Sequence, residues 1–152
     1  MNSDTCCLAN NRIERFSVCT VSRKEADCYK WIKSEEAGCD LGESALKQWV
    51  KDHWWGFLRA RWIEHLQGSC FWIELGEADF GLLLREFPDQ RLLLNQIVSH
   101  LVNGKENLDI IHWAQKSQIA AEPVIHILER LDVNGHRLIL EYDRGWTISA
   151  TC

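Results

Sequence analysis

The stretch Asp40–Gly68, DLGESALKQWVKDHWWGFLRARWIEHLQG, holds four of the chain's eight tryptophans inside one uninterrupted helical pattern. Asp40 can cap its start, Glu43 sits at the positive end of the helix dipole, and Gly68 offers a left-handed stop. At about 100° per residue, Leu46, Trp49, Val50, His53, Trp54 and Phe57 form one apolar stripe, while Trp55, Leu58, Trp62 and Leu66 form another on nearly the opposite side. A helix apolar on both sides must bend near Gly56 or be covered on both flanks. Either way it is the central strut of the molecule, and its second stripe fits the C-terminal half or a second copy of the chain.

Before the strut, residues 1–20 are polar and show no apolar period, which predicts a flexible lead-in. Ser22-Arg23-Lys24-Glu25 has the capping-box pattern and predicts a short helix through Cys28, Trp31 and Ile32, stopping near Gly38. After the strut, Phe71-Trp72-Ile73-Glu74-Leu75 reads as a strand or an extended connector. Helical patterns resume over Glu77–Phe87, break at Pro88, and return through Leu92, Leu93, Ile97, Leu101 and Val102 before Gly104.

The C-terminal order is more informative. Asn107–Gln115 is a short amphipathic helix with Ile110, Ile111 and Ala114. A turn at Lys116-Ser117-Gln118-Ile119 follows, then a helix with Pro123 in its first turn and Val124, Ile127, Leu128 and Leu131 on its inner side. Asn134-Gly135 is expected to end that helix. Leu138, Leu140 and Tyr142 alternate along one strand, and Trp146, Ile148 and Ala150 along another. Asp143-Arg144-Gly145 joins them, with Gly145 suited to a left-handed loop position.

Helix, short helix, turn, helix and hairpin over residues 88–150 resembles the winged helix-turn-helix superfamily, by element order and by the texture of Ile110-Ile111-His112-Trp113-Ala114 and Val124–Leu131. The resemblance implies a C-terminal winged-helix-like three-helix unit with a β-hairpin; with the helical pattern of the Trp-rich N-terminal part, for which no family resemblance is drawn, the expected fold is mainly α. The expected division is a lead-in over 1–20, a Trp-rich platform over 21–76 and the winged-helix-like module over 77–152.

Size and charge bound the function. A chain of 152 residues suits one domain or two small units sharing a core. With 46% hydrophobic and 26% charged residues it has the ordinary globular mix. The net charge of −5 is carried by residues 69–152, which hold seven basic against twelve acidic side chains. Nucleic acid would therefore have to be held by a local patch rather than by the general field. No run approaches the ~20 apolar residues of a membrane span, and Met1-Asn2-Ser3-Asp4 lacks the order of a signal peptide, so the cytoplasm is the expected location.

In that superfamily the third helix commonly enters the major groove and the wing contacts the backbone. By position, this implies a reading face of Glu122, His126, Glu129 and Arg130 and a wing tip of Asp143 and Arg144. Two carboxylates match a phosphate-lined groove poorly. The first expectation is therefore a non-enzymatic accessory or regulatory module that contacts a protein, or itself, through Trp55, Leu58, Trp62, Glu122 and Glu129. The alternative is a DNA-binding regulator using Lys116, Ser117, Gln118, His126, Arg130, Arg137 and Arg144.

Evidence for chemistry is thinner. The seven cysteines are irregularly spaced with no Cys-x-x-Cys or Cys-x-x-His pair, so neither a disulfide framework nor a metal site is expected. Glycine spacing matches no phosphate loop, and no cofactor is expected. His53, Glu64 and His65 are raw material for acid–base work, but a single helix does not bring them into a dyad. Cys70 could meet His65 or His100 in space, which keeps a small enzyme as a second alternative. Arg59 and Arg61 beside Trp55 and Trp62 could stack on a base or grip a phosphate, although core packing explains the same residues.

Overall fold

The computed structural model describes residues 14–133, 138–142 and 145–150. The chain is mainly α, as expected, with a C-terminal β-hairpin. Two long helices come first: α1 (Val18–Ala37) and α2 (Glu43–Gln67). Gly38, at φ 72°, closes α1, and Gly68, at φ 75°, closes α2. Both are left-handed positions that a side chain would strain.

The start of α1 differs from the expectation at Ser22. Ser17 is the N-cap, its hydroxyl accepting from the Thr20 N–H at 3.2 Å. Glu74 adds a second acceptor, taking the Val18 N–H at 2.6 Å and the Ser17 hydroxyl at 2.5 Å. That carboxylate comes from a single 3₁₀ turn, Ile73–Leu75, which follows the short strand β2 (Phe71–Trp72). Strand β1 (Arg15–Phe16) pairs with β2 in parallel, so ordered structure begins inside the expected lead-in. Ser22 lies fully buried within α1 instead. Asp40 likewise accepts from the Gly42 N–H at 2.9 Å and shapes the turn, leaving Gly42 as the N-cap of α2.

Helix α2 runs unbroken through Gly56 and is covered on both flanks. Leu46, Trp49, Trp54 and Leu58 pack with Val18, Ala26, Trp72, Leu140 and Trp146 in one core. Trp62, Ile63 and Leu66 enter a second core. That core is completed by α3 (Leu82–Glu86), α4 (Arg91–Val102), α5 (Asn107–Lys116) and α6 (Ala121–Leu131). The expected helix over Glu77–Phe87 shortens to α3, and α6 ends at Asp132 in the left-handed region; Asn134 and Gly135 lie outside the described residues.

The second stripe of the strut is therefore corrected as a docking surface. Leu58 and Trp62 are each only 3% exposed, while Trp55 stays 49% exposed. Residues of the C-terminal half cover Trp62 and Leu66, and α2 contributes to both cores.

The hairpin, β3 (Leu138–Glu141) paired antiparallel with β4 (Thr147–Ala150), places Leu140 opposite Ile148. It lies against α1 and α2. The Trp54 indole donates to the Leu138 carbonyl at 3.0 Å. Trp146, just before β4, is 3% exposed and donates to the Ser22 hydroxyl at 2.9 Å. Its carbonyl receives the Cys19 thiol at 2.9 Å, and its ring lies 5.9 Å from Trp49. Trp146 holds a φ of 59° directly after Gly145 at 82°. Such a conformation costs a non-glycine residue about 1–3 kcal/mol. Burying an indole returns about 4–6 kcal/mol gross, so the packed ring sustains the strain.

Trp146→Ala should lower the unfolding free energy by about 3–5 kcal/mol in chemical denaturation and speed amide exchange in Leu138–Glu141. Trp146→Phe, which keeps a ring but loses the donor, should fall between. A loss below about 1 kcal/mol would show that the hairpin is held elsewhere.

Candidate interaction surface on the C-terminal helices

Helix α5 is opened by a reciprocal cap. The Glu106 side chain takes the Asp109 N–H, and Asp109 takes the Glu106 N–H at 2.9 Å. The α5–α6 turn tightens around Gln118, at φ 57°, with the Ile119 N–H reaching back to the Ala114 carbonyl at 2.8 Å. Lys116, Ser117 and Gln118 are exposed on this turn.

Helix α6 is strongly amphipathic. Val124, Ile127, Leu128 and Leu131 are buried, as the sequence predicts, and Glu122, Ile125, His126, Glu129 and Arg130 face outward. The cation on that face is committed. Arg130 donates from Nε to Glu86 Oε2 at 2.5 Å and from Nη2 to Glu86 Oε1, a bidentate pair. Arg130 in turn holds the Glu86 carboxyl below the usual carboxylate range. His126 lies with its ring 5.4 Å from Phe87, nearly edge-on.

Beside this face, Ile111, Ile125 and Leu128 line a groove of about 310 Å³ between α5 and α6, with Glu129 and Asp132 at its margin. Asn107 also lines it, and its side-chain oxygen is buried without a hydrogen-bond partner among the described residues. The spacing of the buried residues of α6 predicts its inner face. Ile125 stands out as an apolar residue on the polar side, whereas nothing local in the sequence singles out Asn107.

Arg137 and Arg144, together with Asp143, lie outside the described residues. Arg59 donates to the Lys105 carbonyl at 2.5 Å and to Glu106 at 3.3 Å. Arg61 pairs with Glu64 at 3.1 Å and stacks 4.9 Å from Phe57 and 5.3 Å from Trp72. These guanidinium groups thus brace the chain's own backbone, carboxylates and rings. No group of three or more His, Cys, Asp or Glu among the described residues is arranged to hold a metal ion. No helix among them is long and apolar enough to cross a membrane.

His53 is exposed, 5.5 Å from Tyr29, far along α2 from His65. His65 is fully buried, and both ring nitrogens are bonded to backbone. Its Nδ1 accepts the Trp72 N–H at 3.0 Å and its Nε2 lies 2.6 Å from the Gly76 carbonyl. A carbonyl can only accept, so Nε2 carries the proton and the ring is the neutral Nε2–H tautomer. Burial lowers its pKa. Burial also raises that of neighbouring Glu64, against the opposing pull of Arg61 and the Trp72 indole. Cys70 is enclosed in the other core.

The His65 depression makes stability depend on pH. The unfolded imidazole binds a proton near its ordinary value of 6.5 while the folded ring stays neutral. Stability present above that pH is thus lost as pH falls through the window beneath it. Glu64 works in the opposite sense, gaining stability as pH falls, so the direct readout is the ring itself. Nitrogen-resolved NMR should find Nδ1 bare and His65 titrating below the ordinary histidine range. A titration at or above that range would refute the assigned tautomer and its backbone anchoring.

The chain matches no protein-family model, and no curated protein or solved structure shows significant similarity to it.

Proposed function

We propose that this protein is a non-enzymatic accessory module that binds a protein partner through the outer face of α6 and the α5–α6 groove, on a winged-helix-like unit whose hairpin is turned inward. The observation that supports this most is the content of one helical stripe. Glu122, Ile125, Glu129 and Asp132 follow one another at i, i+3, i+7 and i+10, with no cation among them, while Arg130 is engaged by Glu86. Phosphate recognition needs cations in that position. An apolar residue framed by carboxylates, beside a groove floored by Ile111 and Leu128, instead suits an apolar side chain with basic neighbours.

The docked hairpin supports the same reading. A free wing would offer its strands to a duplex, whereas here Trp54 and Trp146 fasten it to α1 and α2. Lys116, Ser117 and Gln118 remain exposed on the α5–α6 turn, and among the described residues they are where a duplex could be held away from the acidic stripe.

Affinity capture with the wild-type chain should retain a defined set of proteins that Ile125→Glu combined with Glu129→Lys loses while melting like the wild type. An unchanged set would overturn the reading. So would tight binding of a short duplex at low salt that Lys116→Ala abolishes, because the turn and not the acidic stripe would then be the contact.

A further inference from the structure

Helix α2 carries a glycine that its own packing does not require. Gly56 sits mid-helix, where glycine is a poor choice, yet a β-carbon there would meet nothing within 4 Å. Its backbone is helical, so no left-handed turn demands it either. What the missing side chain leaves open is a groove of about 380 Å³ between α1 and α2.

The groove is aromatic and acidic. Tyr29 and His53 stand 5.5 Å apart on its wall, Trp49 and Phe57 5.8 Å apart beside them, and Glu25 and Asp52 line it with carboxylates. No lysine or arginine is among the lining residues. The two ends of this wall already hold cations of the chain: the Lys33 ammonium lies 5.8 Å over Tyr29, and the Arg61 guanidinium 4.9 Å over Phe57. Between them the described residues place no cation over Trp49.

We propose that this groove receives a lysine side chain from a partner polypeptide, a contact separate from the α6 surface. The methylene stem would lie along Phe57 beside Gly56, and the ammonium would meet Glu25 and Asp52 at the Tyr29–His53 wall, the pairing that ring quadrupoles and carboxylates favour. Gly56 lets that stem approach the helix backbone. A polypeptide rather than a free amine is indicated by the surroundings. The groove is open to solvent along the surface, its lining residue Ile32 is 40% exposed, and the two helices that form it also carry Trp31, 65% exposed, and Trp55, 49% exposed.

The test is an NMR titration of the full chain with a capped nonapeptide bearing one lysine between two leucines, beside the same peptide with norleucine and beside n-butylammonium. Shifts should concentrate at Tyr29, Trp49, His53 and Gly56, with the norleucine peptide about tenfold weaker and n-butylammonium weaker still. Gly56→Gln should raise the melting temperature by about 2 °C, since glutamine is the better helix former, and weaken the lysine peptide about tenfold. Equal binding of the norleucine peptide, full binding by Gly56→Gln, or shifts confined to other residues would overturn the proposal. Butylammonium binding as tightly as the peptide would overturn its polypeptide part. None of these readouts involves α5 or α6, so failure here leaves the α6 surface untouched, and the reverse.

Discussion

An indole can be buried cheaply only when its N–H finds an acceptor, and this fold is organised around meeting that condition across long stretches of chain. Five tryptophans are buried: Trp49, Trp54, Trp62, Trp72 and Trp146. Trp54 donates to Leu138, Trp62 to the Leu131 carbonyl at 2.7 Å, Trp72 to the Glu64 carboxylate, and Trp146 to Ser22. Three of these bonds join residues 69 to 124 positions apart. Each of these four donating rings thus brings its apolar area and a directional tether to the same place. With such tethers at the middle of α2 and near its C-terminal end, the strut cannot slide relative to α6 or to the hairpin without losing a buried donor's partner.

The two cores meet along that strut, and the connection between them is polar as well as apolar. His65 on α2 holds the backbone at Trp72 and Gly76, and this fixes the 3₁₀ turn from which Glu74 reaches the start of α1. A chain of contacts therefore runs from the middle of the sequence to its first helix. The left-handed backbone at Trp146 belongs to the same economy: a strained residue is retained because its ring, donor and carbonyl all find partners in the α1–α2 seam.

Much of this was legible in the residues and some of it could not be. The two-sided apolar pattern of Glu43–Gln67 required either a bend near Gly56 or cover on both flanks, Gly38, Gly68 and Gly145 marked stops and turns, and Val124, Ile127, Leu128 and Leu131 named the inner side of α6. Those signals are local, set by periodicity and backbone conformation. The cap on α1 was not legible, because Ser17 and Glu74 are 57 positions apart and a closer Ser-x-x-Glu pattern at Ser22 offered a local match. Periodicity also could not assign Leu58 and Trp62 to different cores, since it reports which side of a helix is apolar and not what lies against it. At the candidate surface, the acidic stripe was readable from spacing. The engagement of Arg130 by Glu86, 44 positions away, and the unmatched Asn107 oxygen were not.

The arginines explain why an acidic surface faces outward. Arg15 pairs with Glu77, Arg23 with Asp27, Arg59 with Glu106 and the Lys105 carbonyl, Arg61 with Glu64, Arg85 with the Ala78 and Phe80 carbonyls, and Arg130 with Glu86. Guanidinium is the side chain best suited to bidentate recognition of phosphate, and here it is directed at the chain's own carboxylates and carbonyls. Exposed pairs of this kind add little stability. Their larger effect is on what the surface offers: each engaged guanidinium is one fewer donor for an external anion, while Glu122 and Glu129 stay outward without such a pairing among the described residues. The fold thereby turns a modest sequence deficit of positive charge into a local acidic face around Ile125, which is the physical basis for expecting a basic, apolar partner there.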